Sequence, residues 1–347
     1  MQRSILALSF TIEQLANRYG IDTQALLARH GLSRDHLNAA ATISQADELA
    51  ILEDVSQLLA DEPLAALNVS RTFGLSSYGA FAMMLMSCSS VYEAMTLGIR
   101  YQQLGYLFSE LKLTLHSDTA ELRLIPYHLP QALHRFVMDR DIAGTYHFLN
   151  TMQTMLGQQM RPLRIHMPYP EPPAAQAQAY RDAFGCEVIF AAQEASFVLP
   201  LAVLRIPFPA GNSTALALYQ QQCDEQLTQR RQQDNGSLGD KVQRYLAMFS
   251  QQYPGVAESA AIFGLSERQL RRKLKEEGSG FQAILDHVRS QRACALLHRS
   301  DTSIEQIAVQ LGYSEAAAFI HAFRKWHGCT PAAYRREQRQ SESSGQS

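Results

Sequence analysis

The chain has 347 residues, 46% of them hydrophobic and 18% charged, and a net charge of −2. That length exceeds the ~250 to 300 residues at which a single core stops growing, so it points to two domains, and no apolar run reaches the ~18 to 20 residues a membrane helix needs. The near-neutral average hides a segregation: residues 238–340 carry 15 Lys+Arg against 10 Asp+Glu, whereas residues 1–237 carry 16 against 22, so only the C-terminal region is suited to approach phosphates.

The opening MQRSILALSFTIEQL has an apolar run broken by Ser9 and Thr11 and no small-residue cleavage site after it, which reads as a cytoplasmic, unexported chain. Thr11 with Gln14 has capping-box spacing ahead of a first helix, Asp22 and Ser33 can cap two short ones, and Ala46 to Leu59 repeats apolar residues at helical spacing. The period then changes. LKLTLH at Leu111–His116 and AELRLI at Ala120–Ile125 alternate on either side of Ser117-Asp118-Thr119, a β-hairpin pattern. A long helix is expected over Gln131–Leu156, then short strands near Leu163–Met167, Cys186–Phe190 and Ser196–Leu199, with the loop PYPEPP between the first two. Residues 1–219 thus read as an α+β domain.

The five cysteines are far apart and form no C-x-x-C pair, which fits reduced thiols. His134, His147 and His166 lack metal-ligand spacing, so neither a metal nor a cofactor is expected. Residues 1–237 contain no G-x-S-x-G elbow, Gly-rich phosphate loop or H-E-x-x-H, which argues against an enzyme. The Met-rich AFAMMLM at Ala80–Met86 reads as helix core or as the lining of an adaptable apolar pocket. Arg100, Tyr101 and Tyr106 read equally as ligand contacts or as interdomain or core contacts. No effector-binding residue is assigned.

Gln220 to Asp240 is polar and finishes in Asp234-Asn235-Gly236-Ser237, a linker pattern. An all-α domain follows over residues 241–339, and the polar residues 340–347 read as a disordered tail. A single pattern occurs twice within this all-α domain: AAIFGLSERQLRRKLKEEG at Ala260–Gly278 is echoed by IAVQLGYSEAAAFIHAFRKWHG at Ile307–Gly328, with Gly264 matching Gly312 and Ser266 matching Ser314. Each copy is a short apolar helix, a Gly turn, a capping Ser and a second helix, the plan of a helix-turn-helix.

In the first copy Ser266 and Gln269 form a capping box and Leu270 and Leu274 face inward, leaving Glu267, Arg268, Arg271 and Arg272 outward. An Arg near the start of such a helix can donate two hydrogen bonds to guanine, worth about 1 to 3 kcal/mol of discrimination. Lys273 and Lys275 suit phosphates, which add affinity without sequence information. The second copy is capped by Ser303 with Gln306, restarts at Ser314 and turns Phe319 and Phe323 inward. Its outward residues are Glu315, Ala316, Ala317, Ile320 and His321, a poorer set of hydrogen-bonding groups, with Arg324 and Lys325 placed for phosphates. Phe281–Arg299 reads as one connecting helix, with Ile284, Leu285, Val288, Ala295 and Leu296 along one stripe. Its span of roughly 25 Å, against about 34 Å for one turn of DNA, lets both reading helices enter successive major-groove segments of a double-stranded duplex. Thr330-Pro331 opens a final helix.

The C-terminal hundred residues resemble the DNA-binding domain of the AraC/XylS family of bacterial transcription regulators. The resemblance is carried by IEQIAVQLGYSEAAAFIHAFRKWHGCTPAAYR at Ile304–Arg335, in which Gly312, Phe319, Phe323, Gly328, Pro331 and Tyr334 fall on the family's pattern. His321 departs from it, since the family usually has an Arg there, as does Ala318, where a polar residue is common. The N-terminal region resembles the arabinose-binding-type domain of regulators similar to the ornithine utilization regulators, through Gly20–Leu37, Gly74–Tyr101, PLRIHMPYPEPP and YRDAFGCEVIFAA. The resemblance implies a promoter-binding regulator, an activator that helps recruit RNA polymerase, with an N-terminal domain that binds a small-molecule effector or associates into a homodimer. The alternative gives that domain association alone, with no ligand.

Overall fold

The computed structural model describes residues 2–344 apart from residues 38–40, 63, 72, 74–77, 128, 158–159, 234–235, 250–251 and 300–301. The chain divides into two compact units, Met1–Gln233 and Asp234–Ser347.

The first unit is α+β. Strands β1 (Gln2–Ser4) and β2 (Thr42–Ser44) pair antiparallel, flanking helices α1 (Leu6–Tyr19) and α2 (Thr23–Arg29). Helices α3 (Gln45–Leu58), α4 (Ala65–Val69), α5 (Ala80–Met86) and α6 (Val91–Arg100) lead to the hairpin β3 (Ser109–Leu115) and β4 (Thr119–Pro126). Helix α7 (Gln131–Leu156), β5 (Arg164–His166), α8 (Ala174–Phe184), β6 (Glu187–Ile189), β7 (Ala195–Pro200) and α9 (Ser213–Gln233) complete it. The five-stranded sheet has the order β3-β4-β7-β5-β6, with only β5 and β6 parallel. The two-residue period of β4 turns Ala120, Leu122 and Leu124 onto a core shared with Ile165, Phe197 and with Met138 and Ile142 of α7. A second core joins Leu8, Ile12 and Leu15 of α1 to Ile51 and Val55 of α3.

Two expectations need correction here. Thr11 caps nothing: α1 starts five residues earlier at Leu6, and the buried Thr11 donates its hydroxyl to the Ala7 carbonyl at 3.0 Å. Burial of Ile5, Ala7 and Leu8 outweighs a local capping signal. Helix α8 was not anticipated: it is Ala- and Gln-rich with Pro173 in the N-cap position, and its inner face is the sparse set Ala177, Tyr180 and Phe184. The proposed linker is helical as far as Gln233, because α9 runs through it. Inside that polar stretch Cys223 and Leu227 continue the three- and four-residue spacing of Leu216 and Tyr219 just before it, and the four pack against α5. Asp234-Asn235 lies outside the described residues.

The second unit is all helical: α10 (Leu238–Ala247), α11 (Val256–Ile262), α12 (Glu267–Glu276), α13 (Phe281–Arg299), α14 (Ile304–Gln310), α15 (Ala316–His327) and α16 (Pro331–Ser344). Helix α16 carries the backbone to Ser344, so residues 340–344 are helical where a disordered tail was expected. Nothing before Gly345 breaks a helix.

Two cores share α13. Its first half gives Phe281, Ile284, Leu285 and Val288 to a core with Val242, Leu246, Ala260, Leu270 and Leu274. Its second half gives Ala293 and Leu297 to a core with Ile307, Leu311, Phe319 and Phe323. The expected stripe continues to Ala295 and Leu296, but the buried positions shift to Ala293 and Leu297. Five residues from Val288 to Ala293 turn about 140° around a helix, so the connector faces two cores that lie on different sides of it.

Candidate functional site

The first helix-turn-helix is α11, a turn at Gly264 and α12. Gly264 has φ +65° and Gly312, at the second turn, +74°, a left-handed backbone that glycine adopts without strain. Ser266 accepts from the Gln269 N–H at 3.3 Å while Gln269 accepts from the Ser266 N–H at 2.8 Å, a reciprocal cap that fixes where α12 begins. Leu270 and Leu274 are fully buried. Glu267, Arg268, Arg271, Arg272, Lys273 and Lys275 are all exposed.

These cations are not equivalent. Arg271 is held by Glu267 one turn earlier, at 2.9 Å from Nε and 2.8 Å from a terminal nitrogen, and Arg272 lies 3.7 Å from Glu276. Arg268 has no ion pair or hydrogen bond among the described residues. The far end of α12 is also fixed. Glu277 accepts from the Leu238 and Gly239 N–H groups, each at 2.8 Å, and so caps α10 with a carboxylate, the sign of charge that a helix N-terminus favours. No pattern in the sequence marks that contact, which spans almost forty residues.

The second copy is α14, the Gly312 turn and α15. Ser303 and Gln306 cap α14 reciprocally as expected. The restart at Ser314 does not occur. The N-cap of α15 is Glu315, with extended backbone and no side-chain cap, so this copy has one more residue between glycine and helix than the first. Aligned from their N-caps, α12 and α15 place Phe319 and Phe323 where Leu270 and Leu274 stand, and both phenylalanines are fully buried. Arg268, Arg271 and Arg272 then correspond to Ala317, Ile320 and His321. Ala316 is partly buried in the second core, while Glu315, Ala317, Ile320, His321, Arg324 and Lys325 are exposed.

Between the copies, the Arg289 guanidinium lies over the rings of Tyr253, at 5.1 Å, and Tyr313, at 4.8 Å. Tyr253 precedes α11 and Tyr313 sits in the second turn, so one cation on the connector joins the segment leading into the first copy to the turn of the second. This contact too is silent in the sequence, because its partners are far apart along the chain.

The first unit holds an almost wholly apolar cavity of about 90 Å³. Phe81, Leu85, Met95, Gly98, Tyr106 and Thr145 are among the residues around it. Of the segment Ala80–Met86, Phe81 and Leu85 reach the cavity, while Met83 is exposed. Tyr101 is instead buried away from it, donating to Asp224 of α9 at 2.7 Å, with Arg100 over its ring. Burial and the neighbouring Arg71 lower the His147 pKa to about 4, which leaves that imidazole neutral. Among the described residues no His, Cys, Asp and Glu side chains gather as a metal site, and no helix is long and apolar enough to cross a membrane.

Residues 20–208 match the family described as the arabinose-binding domain of AraC transcription regulator, N-terminal, and residues 259–337 match a helix-turn-helix domain family. The chain is 29% identical over 329 residues to an uncharacterized HTH-type transcriptional regulator of Mycobacterium tuberculosis, with 93% of each chain covered. It is 28% identical over 340 residues to the ornithine utilization regulator of Pseudomonas aeruginosa, covering 94% of this chain and 98% of that one. Among solved structures it is similar to the transcriptional regulator CdpR from Pseudomonas aeruginosa, at 26% identity and a TM-score of 0.42, covering 82% of this chain and 91% of that one.

Proposed function

We propose, on the premise that this chain belongs to the AraC-type family of DNA-binding transcription regulators with an arabinose-binding-type N-terminal domain, that it is an activator controlled by a small molecule bound in its first unit. In this reading α12 reads bases and α15 mainly holds the duplex. The observation that carries it is the inequality of the two exposed faces. At matching positions α12 offers three arginines and α15 offers Ala317, Ile320 and His321.

Arg268 is the base reader of the set, with its guanidinium free to donate to guanine O6 and N7. Arg271 is pre-oriented by Glu267, which reduces the ordering that binding requires. Lys273, Lys275, Arg324 and Lys325 meet phosphates. A homodimer placing two copies on one promoter, and contact with RNA polymerase, complete the proposal and rest on the family.

Arg268→Ala is expected to cost about 1 to 3 kcal/mol on the cognate duplex and to relax preference at particular base pairs, whereas Lys275→Ala weakens cognate and scrambled duplexes alike. Fluorescence anisotropy on both duplexes separates the cases. Equal losses for Arg268→Ala on cognate and scrambled DNA remove that residue from base reading.

A further inference from the structure

We infer that the cavity of the first unit is the effector site and that it takes a compact, mainly apolar molecule, an aromatic ring or branched aliphatic group bearing a single hydrogen-bonding function, and not a sugar. This deepens the proposed function and rests on it.

Chemistry decides the ligand class. The cavity lies among α5, α6, α7 and the β3–β4 hairpin, and nearly all of its wall is hydrocarbon and aromatic ring. Among the described residues its polar side chains are four, Tyr78, Gln102, Tyr106 and Thr145. Gln102 has its amide oxygen committed to the Leu111 N–H at 2.6 Å, which leaves only that side chain's N–H donors for a ligand. The hydroxyls of Thr145 and Tyr106 lie 3.4 Å apart on one side of the cavity and can serve a single polar group. A pentose would bring several hydroxyls into this space, and each one left without a partner costs about 1 to 3 kcal/mol. An apolar group meets no such penalty and gains about 25 cal/mol for each Å² it removes from water.

Size sets the scale. A volume of about 90 Å³ is several times what one water requires and roughly three-fifths of the ~150 Å³ of an apolar cavity that binds benzene, so a ring enters as the wall yields. Met95 and Met152 are part of the wall and can repack around a ring, since thioether side chains adapt their shape readily.

The same walls reach the end of the unit. Phe81 and Leu85 face the cavity and also belong to the cluster that contains Cys223 and Leu227 of α9. Tyr101, next to α6, donates to Asp224 of the same helix. A ligand that spreads α5 and α6 therefore moves the packing of α9, the last helix before the DNA-binding unit. The effect on DNA depends on how differently the ligand binds the two arrangements.

The test uses the full-length protein with indole and isovalerate as probes and L-arabinose as the polar comparison. Far-UV circular dichroism melts and calorimetric titration measure binding, and anisotropy on the cognate duplex measures the response. We expect at least one apolar probe to bind saturably and raise the melting transition of the first unit, with L-arabinose inert. At Gly98 an added Cβ meets only Leu85, at 3.8 Å, so Gly98→Leu extends into the void and abolishes probe binding. The milder Gly98→Ala weakens it, and Thr145→Val weakens it about tenfold by removing one hydrogen bond. Saturable binding of L-arabinose with none of the apolar probes overturns the inference, as does probe binding that survives Gly98→Leu, or no binding by any of the three compounds. Probe binding that leaves DNA affinity unchanged upholds the site and defeats effector control. A DNA response to a polar metabolite that Gly98→Leu does not alter upholds effector control and defeats the site.

Discussion

Arg140→Met is expected to destabilise the first unit by about 3 to 5 kcal/mol, the usual cost of removing one member of a buried ion pair, and to leave the second unit unchanged. Arg140 is fully buried, with its guanidinium 3.4 Å from Glu48 and 3.2 Å from Asp141, and it also donates to the Tyr106 carbonyl at 3.2 Å. Arg3 meets the other oxygen of Glu48 at 2.6 Å and donates to the same Tyr106 carbonyl. Two cations and two carboxylates thus tie β1, α3, α7 and the segment before β3 together, under the rings of Phe73, Tyr106 and Phe108. Methionine keeps much of the volume but leaves Glu48 and Asp141 with one cation fewer.

The loss should depend on pH with a defined sign. Burial raises the Asp141 pKa to about 6, against the downward pull of Arg140. A carboxyl whose folded pKa lies above its unfolded value favours the fold most at low pH, and that contribution is lost as pH rises through the folded value. Without Arg140 the folded value climbs further, so variant and wild type should lose stability in parallel up to about pH 6, and the gap between them should widen from about pH 6 up to the variant's higher folded value. A gap that is constant across that range would contradict this origin of the effect.

Phe323→Ala is expected to cost the second unit about 3 to 5 kcal/mol and to abolish specific DNA binding while sparing the first unit. Phe323 is fully buried, and its ring lies 5.8 Å from Phe319, 4.5 Å from His327 and 5.5 Å from Tyr334. His327 in turn lies 2.7 Å from Ser290 on α13. One ring therefore joins the second reading helix to the connector and to α16. The protein's single tryptophan, Trp326, stands 6.4 Å from Phe323, so its fluorescence reports the second unit, whereas far-UV circular dichroism reports both. Phe323→Ala should lower the fluorescence transition and Arg140→Met only the remaining dichroism transition. Both variants moving both transitions together would show that the two units do not melt independently.

What could be read from the sequence follows from the range of the interactions. The hairpin, α7 and the two helix-turn-helix copies announce themselves through local period, caps and turn glycines. Helix α9 was hidden because its apolar face is only one residue wide in a polar stretch. The insertion before Glu315 was hidden because the match of Ser266 with Ser314 is a similarity of letters, while the cap is a matter of backbone geometry. The buried Arg3–Glu48–Arg140–Asp141 network, the Glu277 cap and the Arg289 contacts join residues from distant stretches of the chain. A single sequence carries no periodic trace of them. The exposed face of α12 was legible residue by residue, since a capped helix with two inward leucines leaves those six side chains nowhere else to go.

In vitro selection of random duplexes by the full-length protein, repeated with Arg268→Ala, tests the unequal-reader reading most directly. The wild type should enrich a bipartite site with half-sites about 10 bp apart, one strongly constrained in base identity and the other weakly. Arg268→Ala should flatten the strong half alone. Two half-sites of equal constraint, or a loss of constraint confined to the weak half, would contradict the assignment of base reading to α12.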